Sequence, residues 1–310
     1  MPDRQTGKLR YRGNQQMVTE TDELMFSVEV TTYNQKDYIA QTLQSIIDQK
    51  HNYKYEIVIS DDCSKDGTQD VIRQFHEKYP DIIKPVYNEK NLGAMKNYYA
   101  TVSRAKGKYL MECSGDDYWL PGKVEKQIEF MERNLDFAVC YGKADILHVN
   151  ENRIESDYGS NYKDFKEILT KGNSCPALTL CIRRDFFCKY LDEIKPQDRS
   201  DWLMEDYPFL VYTAFESLIH FIDMPMAVYR SIENSLSHQM DIEKMLRFKK
   251  SGYDIQEFFA DRYSVTTEKW DEQKMRKELL SNNKNSSFPL VRKILKFLMP
   301  YWVLKLAKKV

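Results

Sequence analysis

The sequence predicts a doubly wound α/β domain, a mainly parallel sheet flanked by helices, with a helical extension at its C-terminal end. Three observations predict it. Short β-branched or apolar runs alternate with runs of helical period from Phe26 to Asn134, and strand, helix, strand at such intervals implies parallel pairing through right-handed crossovers. A chain of 310 residues accommodates one large α/β domain of roughly 230 to 250 residues plus appendages. Acidic pairs also close two of the strands, on the sheet edge where open α/β folds bind their ligands.

Residues 1–24 are polar and aperiodic, which predicts a flexible arm rather than a secretory signal. The domain proper is expected over residues 25–240. Phe26 to Tyr33 is β-branched and aromatic, the first strand; Asp37 to Gln49 carries Ile39, Leu43, Ile46 and Ile47 at helical spacing. Tyr55 to Ser60 forms the second strand and runs into Asp61-Asp62. A helix from Gln69 to Tyr79 follows, with Asp66 or Thr68 placed to cap it. The third strand, Ile82 to Tyr87, leads through Asn91-Leu92-Gly93 to a helix over Ala94 to Arg104 that carries Asn97. No GxGxxG turn and no GxxxxGK[ST] loop follows any strand, so neither of those phosphate cradles is present.

The organising stretch is Gly107 to Lys123. A buried strand, Lys108 to Cys113, stops at Ser114-Gly115-Asp116-Asp117, and a Pro-Gly pair precedes a helix over Lys123 to Asn134. Two adjacent carboxylates repel, and a loop holds them cheaply only in water or around a cation. Hard oxygen ligands suit Mg²⁺ or Mn²⁺, which needs one or two carboxylates and draws its other ligands from phosphates and water. The plainer alternative is a solvated turn before the helix.

Further along, strands are expected over Asp136 to Tyr141, Asp145 to Val149, Ala177 to Arg183, Leu218 to Ile222 and Ala227 to Arg230. Asn150 to Asn173 reads as a polar loop on the acceptor side, and Asp185 to Tyr190 as a short helix. Pro208 belongs in the first turn of a helix, placing Glu205 and Asp206 at its mouth, where acids complement the helix dipole by about 0.3–1 kcal/mol. A helical extension over residues 241–286 comprises helices at Ile242 to Arg262 and Glu268 to Leu280.

Charge divides the chain. Basic and acidic residues number 46 and 47, but the last 30 residues hold seven basic and no acidic ones, leaving a net of −8 elsewhere. An acidic body argues against nucleic acid. The tail, residues 287–310, alternates Leu290, Val291, Ile294, Leu295 and Leu298 with Arg292, Lys293 and Lys296, the pattern of a helix lying on an anionic membrane surface; a terminal helix packed on the domain is the alternative. Six cysteines without a CxxC pair read as thiols in a reducing cytosol, and no apolar run reaches the ~18 residues of a spanning helix. The expected location is cytoplasmic, peripheral to the inner face of the cell membrane.

Four pieces in order, Thr31-Thr32-Tyr33-Asn34, ISDDCSKDGT from Ile59, NLGAMKN from Asn91 and GDDYW from Gly115, resemble the inverting GT-A glycosyltransferases of family 2, Rossmann-like enzymes that use nucleotide sugars. The resemblance covers roughly Phe26 to His238. It implies a UDP- or dTDP-sugar donor held by Thr31, Tyr33, Asn34, Asp62, Asn91, Asn97, Ser114, Gly115 and Asp116, with Asp62 accepting the imide N–H of the base. It implies Mn²⁺ or Mg²⁺ on Asp116, supported by Asp117 and by His238, although Ser114 stands where the family often has an acid. Asp206 resembles the catalytic base, with Glu205 as its competitor, and the acceptor is a saccharide or lipid-linked saccharide of cell-surface polysaccharide synthesis. The rival readings are a sugar-1-phosphate nucleotidyltransferase, which shares the sheet and the acids, and a membrane-docked binding protein whose Ser114 marks lost catalysis.

Overall fold

A computed structural model describes residues 23–162, 164–172, 174–232 and 242–283. Residues 1–22 of the expected arm, His238 and the expected membrane-interface tail lie outside these. Strands β1 (Leu24–Thr32), β2 (Lys54–Asp61), β3 (Ile83–Tyr87) and β4 (Tyr109–Glu112) pair in parallel in the order β3-β2-β1-β4. Helices α1 (Lys36–Ile47), α2 (Thr68–Lys78) and α3 (Ala94–Val102) make the crossovers. Ile39, Leu43 and Ile46 recur at helical spacing on α1 and are buried against Phe26, Val28 and Val30 of β1, each such side chain contributing about 1.5–3 kcal/mol. Gly107 brings β4 hard against β1: a Cβ there would lie 2.3 Å from the carbonyl carbon of Phe26.

The second half of the sheet is mixed. From β4 it continues through β8 (Cys181–Arg183), β6 (Phe137–His148), β9 (Leu218–Ser231) and β5 (Tyr118–Trp119), with β7 (Arg153–Tyr158) beside β6. Two pairs of expected strands are each one continuous strand, β6 and β9. Gly142 and Pro225 fall in the gaps between those expected strands and sit where the β6–β9 register shifts, and Gly142 makes room for Met226, whose Sδ would lie 2.6 Å from an added Cβ.

The expected polar loop over 150–173 contains β7 and helix α5 (Phe165–Lys171), the latter capped by Asp164, whose carboxylate accepts from Glu167 N at 2.8 Å. Strand β7 pairs along one edge of β6 and is largely exposed, so it carries no apolar alternation by which it could be recognised. Ala177 to Arg183 divides into a 3-10 turn, Ala177–Thr179, and the short β8.

Helices α4 (Lys123–Arg133), α6 (Arg184–Ile194), α7 (Asp206–Glu216), α8 (Ile242–Tyr263) and α9 (Glu272–Asn283) complete the described chain. Ile255 and Phe259 of α8 share a core cluster with Tyr207, Phe209 and Leu210 of α7, so the extension packs on the main domain. Among the described residues no helix is long and apolar enough to cross a membrane.

Candidate active site

Two loops at the carboxyl ends of β1 and β2 are tied to each other by side chains. Asn34 Oδ1 accepts from Lys65 N at 2.9 Å and Asn34 N donates to Ser64 Oγ at 2.8 Å; Gln35 N donates to Thr68 Oγ1 and Lys36 N to Asp66 Oδ2, at 2.9 and 3.0 Å. Asp66 therefore anchors the α1 entry, while the N-cap of α2 is Gly67 at φ +99°, a left-handed position that suits glycine. Tyr33 stands out of this edge with 48 % of its surface exposed, and the Thr31 carbonyl accepts from Gly115 N at 2.9 Å.

Asp62 holds the third loop. Its carboxylate accepts from Leu92 N, Gly93 N and Asn88 Nδ2 at 2.8, 2.9 and 3.0 Å, and its carbonyl accepts from Asn91 Nδ2 at 3.2 Å. Asn97 is buried, its Oδ1 accepting from Ser60 Oγ and Asn88 Nδ2, which makes it a support of this loop. Asp61 Oδ1 accepts from Ser64 N and Gln69 Nε2, whereas its buried Oδ2 has no hydrogen-bond partner among the described residues.

The acidic loop follows β4. Ser114 is exposed, Asp116 half-buried and Asp117 buried. Gly115 lies so close to the β1 end that an added Cβ would come within 2.6 Å of Gln35 Oε1 and 2.7 Å of Thr32 Cβ. Burial pushes both carboxyls up, that of Asp117 further under the charge of Asp116. Arg230, near the end of β9, staples the loop from behind. Its guanidinium donates to the Asp116 carbonyl and to Gln41 Oε1, its N–H donates to Asp117 Oδ1 at 2.8 Å, and it lies 4.6 Å from the Tyr118 ring centroid.

A second acidic centre stands at the mouth of α7, where Pro208 falls in the first turn. Burial and the charge of Asp206 push the Glu205 carboxyl up to about 7. Asp206 lines a cavity of about 140 Å³ together with Tyr158, Tyr207 and residues of α8. Burial raises the phenol pKa of Tyr158, and the charges of Asp206 and Asp117 raise it further.

Beneath the cleft lie two acids that pattern reading passed over. Glu29 and Glu112 are register partners on β1 and β4. Burial pushes Glu112 up to about 8, aided by the charges of Glu205 and Asp206 and opposed by the Tyr98 hydroxyl, which donates to Glu112 Oε1. Glu29 is raised well above its ordinary value by burial and by Glu112. A charge inside each of the buried runs FSVEV and YLMEC was the available signal.

The sign of the Glu112 shift fixes a pH effect. Between the ordinary value of 4.5 and about 8 the folded protein keeps a proton that the unfolded chain releases, so this group lowers stability as pH rises through that window. Glu112→Gln retains an acceptor for Tyr98 and removes the ionisation. It is expected to raise the melting temperature at pH 8 by roughly 2–10 °C and to match wild type at pH 5. Identical melting at pH 8 would mean that Glu112 ionises without cost.

Among the described residues no group of three His, Cys, Asp or Glu side chains is placed to hold a metal ion. What the acidic loop offers is one half-buried carboxylate, Asp116, beside a second whose charge it opposes. That donor set fits Mg²⁺ or Mn²⁺ when phosphate oxygens and water complete the coordination, as Mg²⁺ commonly requires.

A sheet of this order, with acids on the carboxyl edge of its parallel half and a second acidic pair at the start of α7, is similar to that of GT-A glycosyltransferases. The family model described as glycosyl transferase family 2 matches residues 27–190, and the chain belongs to that family. Staphylococcus aureus TarS 1-349, solved in complex with UDP-GlcNAc, superposes with a TM-score of 0.58 at 19% identity over 91% of this chain and 84% of that one. TuaG of Bacillus subtilis, a putative teichuronic acid biosynthesis glycosyltransferase, is 43% identical over 115 residues, 37% of this chain and 45% of TuaG. Abequosyltransferase RfbV of Salmonella typhimurium is 26% identical over 240 residues, 72% of each chain. The match to Rv1520 of Mycobacterium tuberculosis, at 32% identity, spans 39% of this chain and only 36% of that protein.

Proposed function

We propose that the protein transfers a sugar, with inversion, from a UDP- or dTDP-sugar to a hydroxyl of a saccharide or lipid-linked saccharide in cell-surface polysaccharide synthesis. The observation that carries this is the pair of acidic centres, Asp116-Asp117 after β4 and Glu205-Asp206 at the mouth of α7. TarS bound to UDP-GlcNAc supports the donor class, and the names of TuaG and RfbV support the polysaccharide setting.

In this reading Tyr33 stacks the base and Asp62 accepts its imide N–H. Three donors of the loop after β3 already occupy Asp62, and a carboxylate has about four acceptor positions. Mn²⁺ or Mg²⁺ on Asp116 would stabilise the charge that develops on the departing diphosphate. Asp206 takes the proton of the acceptor hydroxyl as that oxygen attacks the anomeric carbon from the face opposite the diphosphate, giving inversion in one displacement. Arg230 holds the acidic loop in place through its bonds to Asp116 and Asp117.

Ligand binding to the folded state alone must raise its stability, so a thermal-shift screen of nucleotide sugars with and without Mn²⁺ tests the donor class. A shift with UDP- or dTDP-sugars, strengthened by Mn²⁺, is the expected result; no shift with any nucleotide sugar contradicts the reading. The protein also docks on anionic membrane through residues 287–310. Removing residues 288–310 should release it from anionic vesicles in a flotation assay, and unchanged flotation would refute the docking.

A further inference from the structure

Each backbone carbonyl of the acidic loop, from Ser114 to Asp117, is already engaged. Ser114 O accepts from Asp117 N at 3.0 Å; Thr42 Oγ1 donates toward Gly115 O at 2.9 Å and Asp117 O at 2.6 Å; and the Arg230 guanidinium donates to Asp116 O. Of the two carboxylates, that of Asp117 is buried and accepts from Arg230 N through Oδ1 at 2.8 Å. What the loop offers a cation is therefore mainly the half-buried carboxylate of Asp116. Thr42 has one hydroxyl proton to share between two carbonyls, whereas the bond to Asp116 O comes from a charged group and is the stronger tie.

Arg230 reaches the loop from β9, beyond the matched residues 27–190, and is itself fixed. It is 4 % exposed, its second terminal nitrogen donates to Gln41 Oε1 of α1, and the guanidinium carbon lies 5.2 and 4.6 Å from the ring centroids of Tyr38 and Tyr118. A planar fork held by an amide and two rings keeps little rotamer freedom, so the carbonyl it binds is held as well. We propose that Arg230 is a positioning residue of the donor site: it fixes the backbone of Asp116 so that this carboxylate meets a divalent cation bound to the donor diphosphate. The proposal rests on the glycosyltransferase reading above and adds to it a residue that acts through Asp116 rather than on the donor itself. A cation site with one protein carboxylate has no second carboxylate to compensate when that one turns away. Partners that orient a metal-binding group are worth roughly 10-fold to 100-fold in metal affinity.

The test is Mn²⁺ binding to the full chain in the presence of UDP or dTDP, read from the electron paramagnetic resonance signal of free Mn²⁺, which needs no turnover. Wild type is expected to bind Mn²⁺ with one of the two nucleotides. Arg230→Met should bind it roughly tenfold or more weakly, while its affinity for the nucleotide in EDTA stays as in wild type. Gln41→Leu, at an exposed position, releases one side of the fork and should weaken Mn²⁺ binding in the same direction by a smaller factor. Ser45→Ala is the control: it removes the acceptor of Trp119 N, just past the acids, and should leave Mn²⁺ affinity unchanged. Unchanged Mn²⁺ affinity in Arg230→Met and Gln41→Leu would overturn the proposal and leave the transfer reading standing. An equal loss in Ser45→Ala would also overturn it, because any loosening of the loop would then do the same. Should Arg230→Met fail to fold, Gln41→Leu decides alone. If wild type binds Mn²⁺ with neither nucleotide, the cation reading of Asp116 fails first and the role of Arg230 with it.

Discussion

Asp206→Asn is expected to lower sugar transfer by roughly 10²-fold to 10⁴-fold while donor affinity survives, because asparagine keeps the size and polarity of the side chain but cannot take a proton. Geometry selects Asp206 over its neighbour. Asp206 lines the cavity between α7 and α8, whereas Glu205 is the N-cap residue of α7 and does not line it. Protonation favours the competitor, since a carboxyl near 7 is well matched to a neutral working pH. A base must first reach the proton it removes, and for that reason Glu205→Gln should be mild. Rates measured for both variants under saturating donor decide the matter: full activity in Asp206→Asn with collapse in Glu205→Gln moves the base by one residue, and full activity in both removes it from this helix.

Asp116→Asn is expected to abolish the Mn²⁺-dependent part of nucleotide-sugar binding while leaving the fold intact. With no group of three ligating side chains among the described residues, the protein's own share of a cation site rests on this carboxylate, and an amide is a far poorer ligand for a hard cation. Stability should hold or improve, because burial already disfavours the charged form of Asp116 and the neighbouring Asp117 loses a like charge. Calorimetry with and without Mn²⁺ reads the effect directly. Equal donor affinity in the variant and in wild type would reduce Asp116 to a turn residue.

The parallel half of the sheet was legible because β1, β2 and β4 are largely buried on both faces and its helices carry one apolar stripe, as Ile39, Leu43 and Ile46 do on α1. Boundaries there moved by only a residue or two. The second half was harder to read for reasons that lie in particular residues. Gly142 and Pro225 look like chain breaks but form register shifts inside long strands, and β7 is an exposed edge strand without alternation. The acidic loop was readable as a candidate site because two adjacent carboxylates after a buried strand repel each other unless water or a cation screens them. Arg230 was not, since it meets the loop from 114 residues away in sequence from Asp116, and only the tertiary fold brings a late strand back to that edge. Asn91 and Asn97 show the converse, residues of a recognisable run whose amides brace the Asp62 loop.

The most direct test of sugar transfer is to identify the nucleotide released when the full chain is incubated with UDP- and dTDP-sugars, Mn²⁺ and a saccharide acceptor. Release of the nucleoside diphosphate, stimulated by the acceptor and lost in Asp206→Asn, is the predicted result. Release of pyrophosphate from a nucleoside triphosphate and a sugar-1-phosphate, with no nucleoside diphosphate formed from any sugar donor, would contradict it.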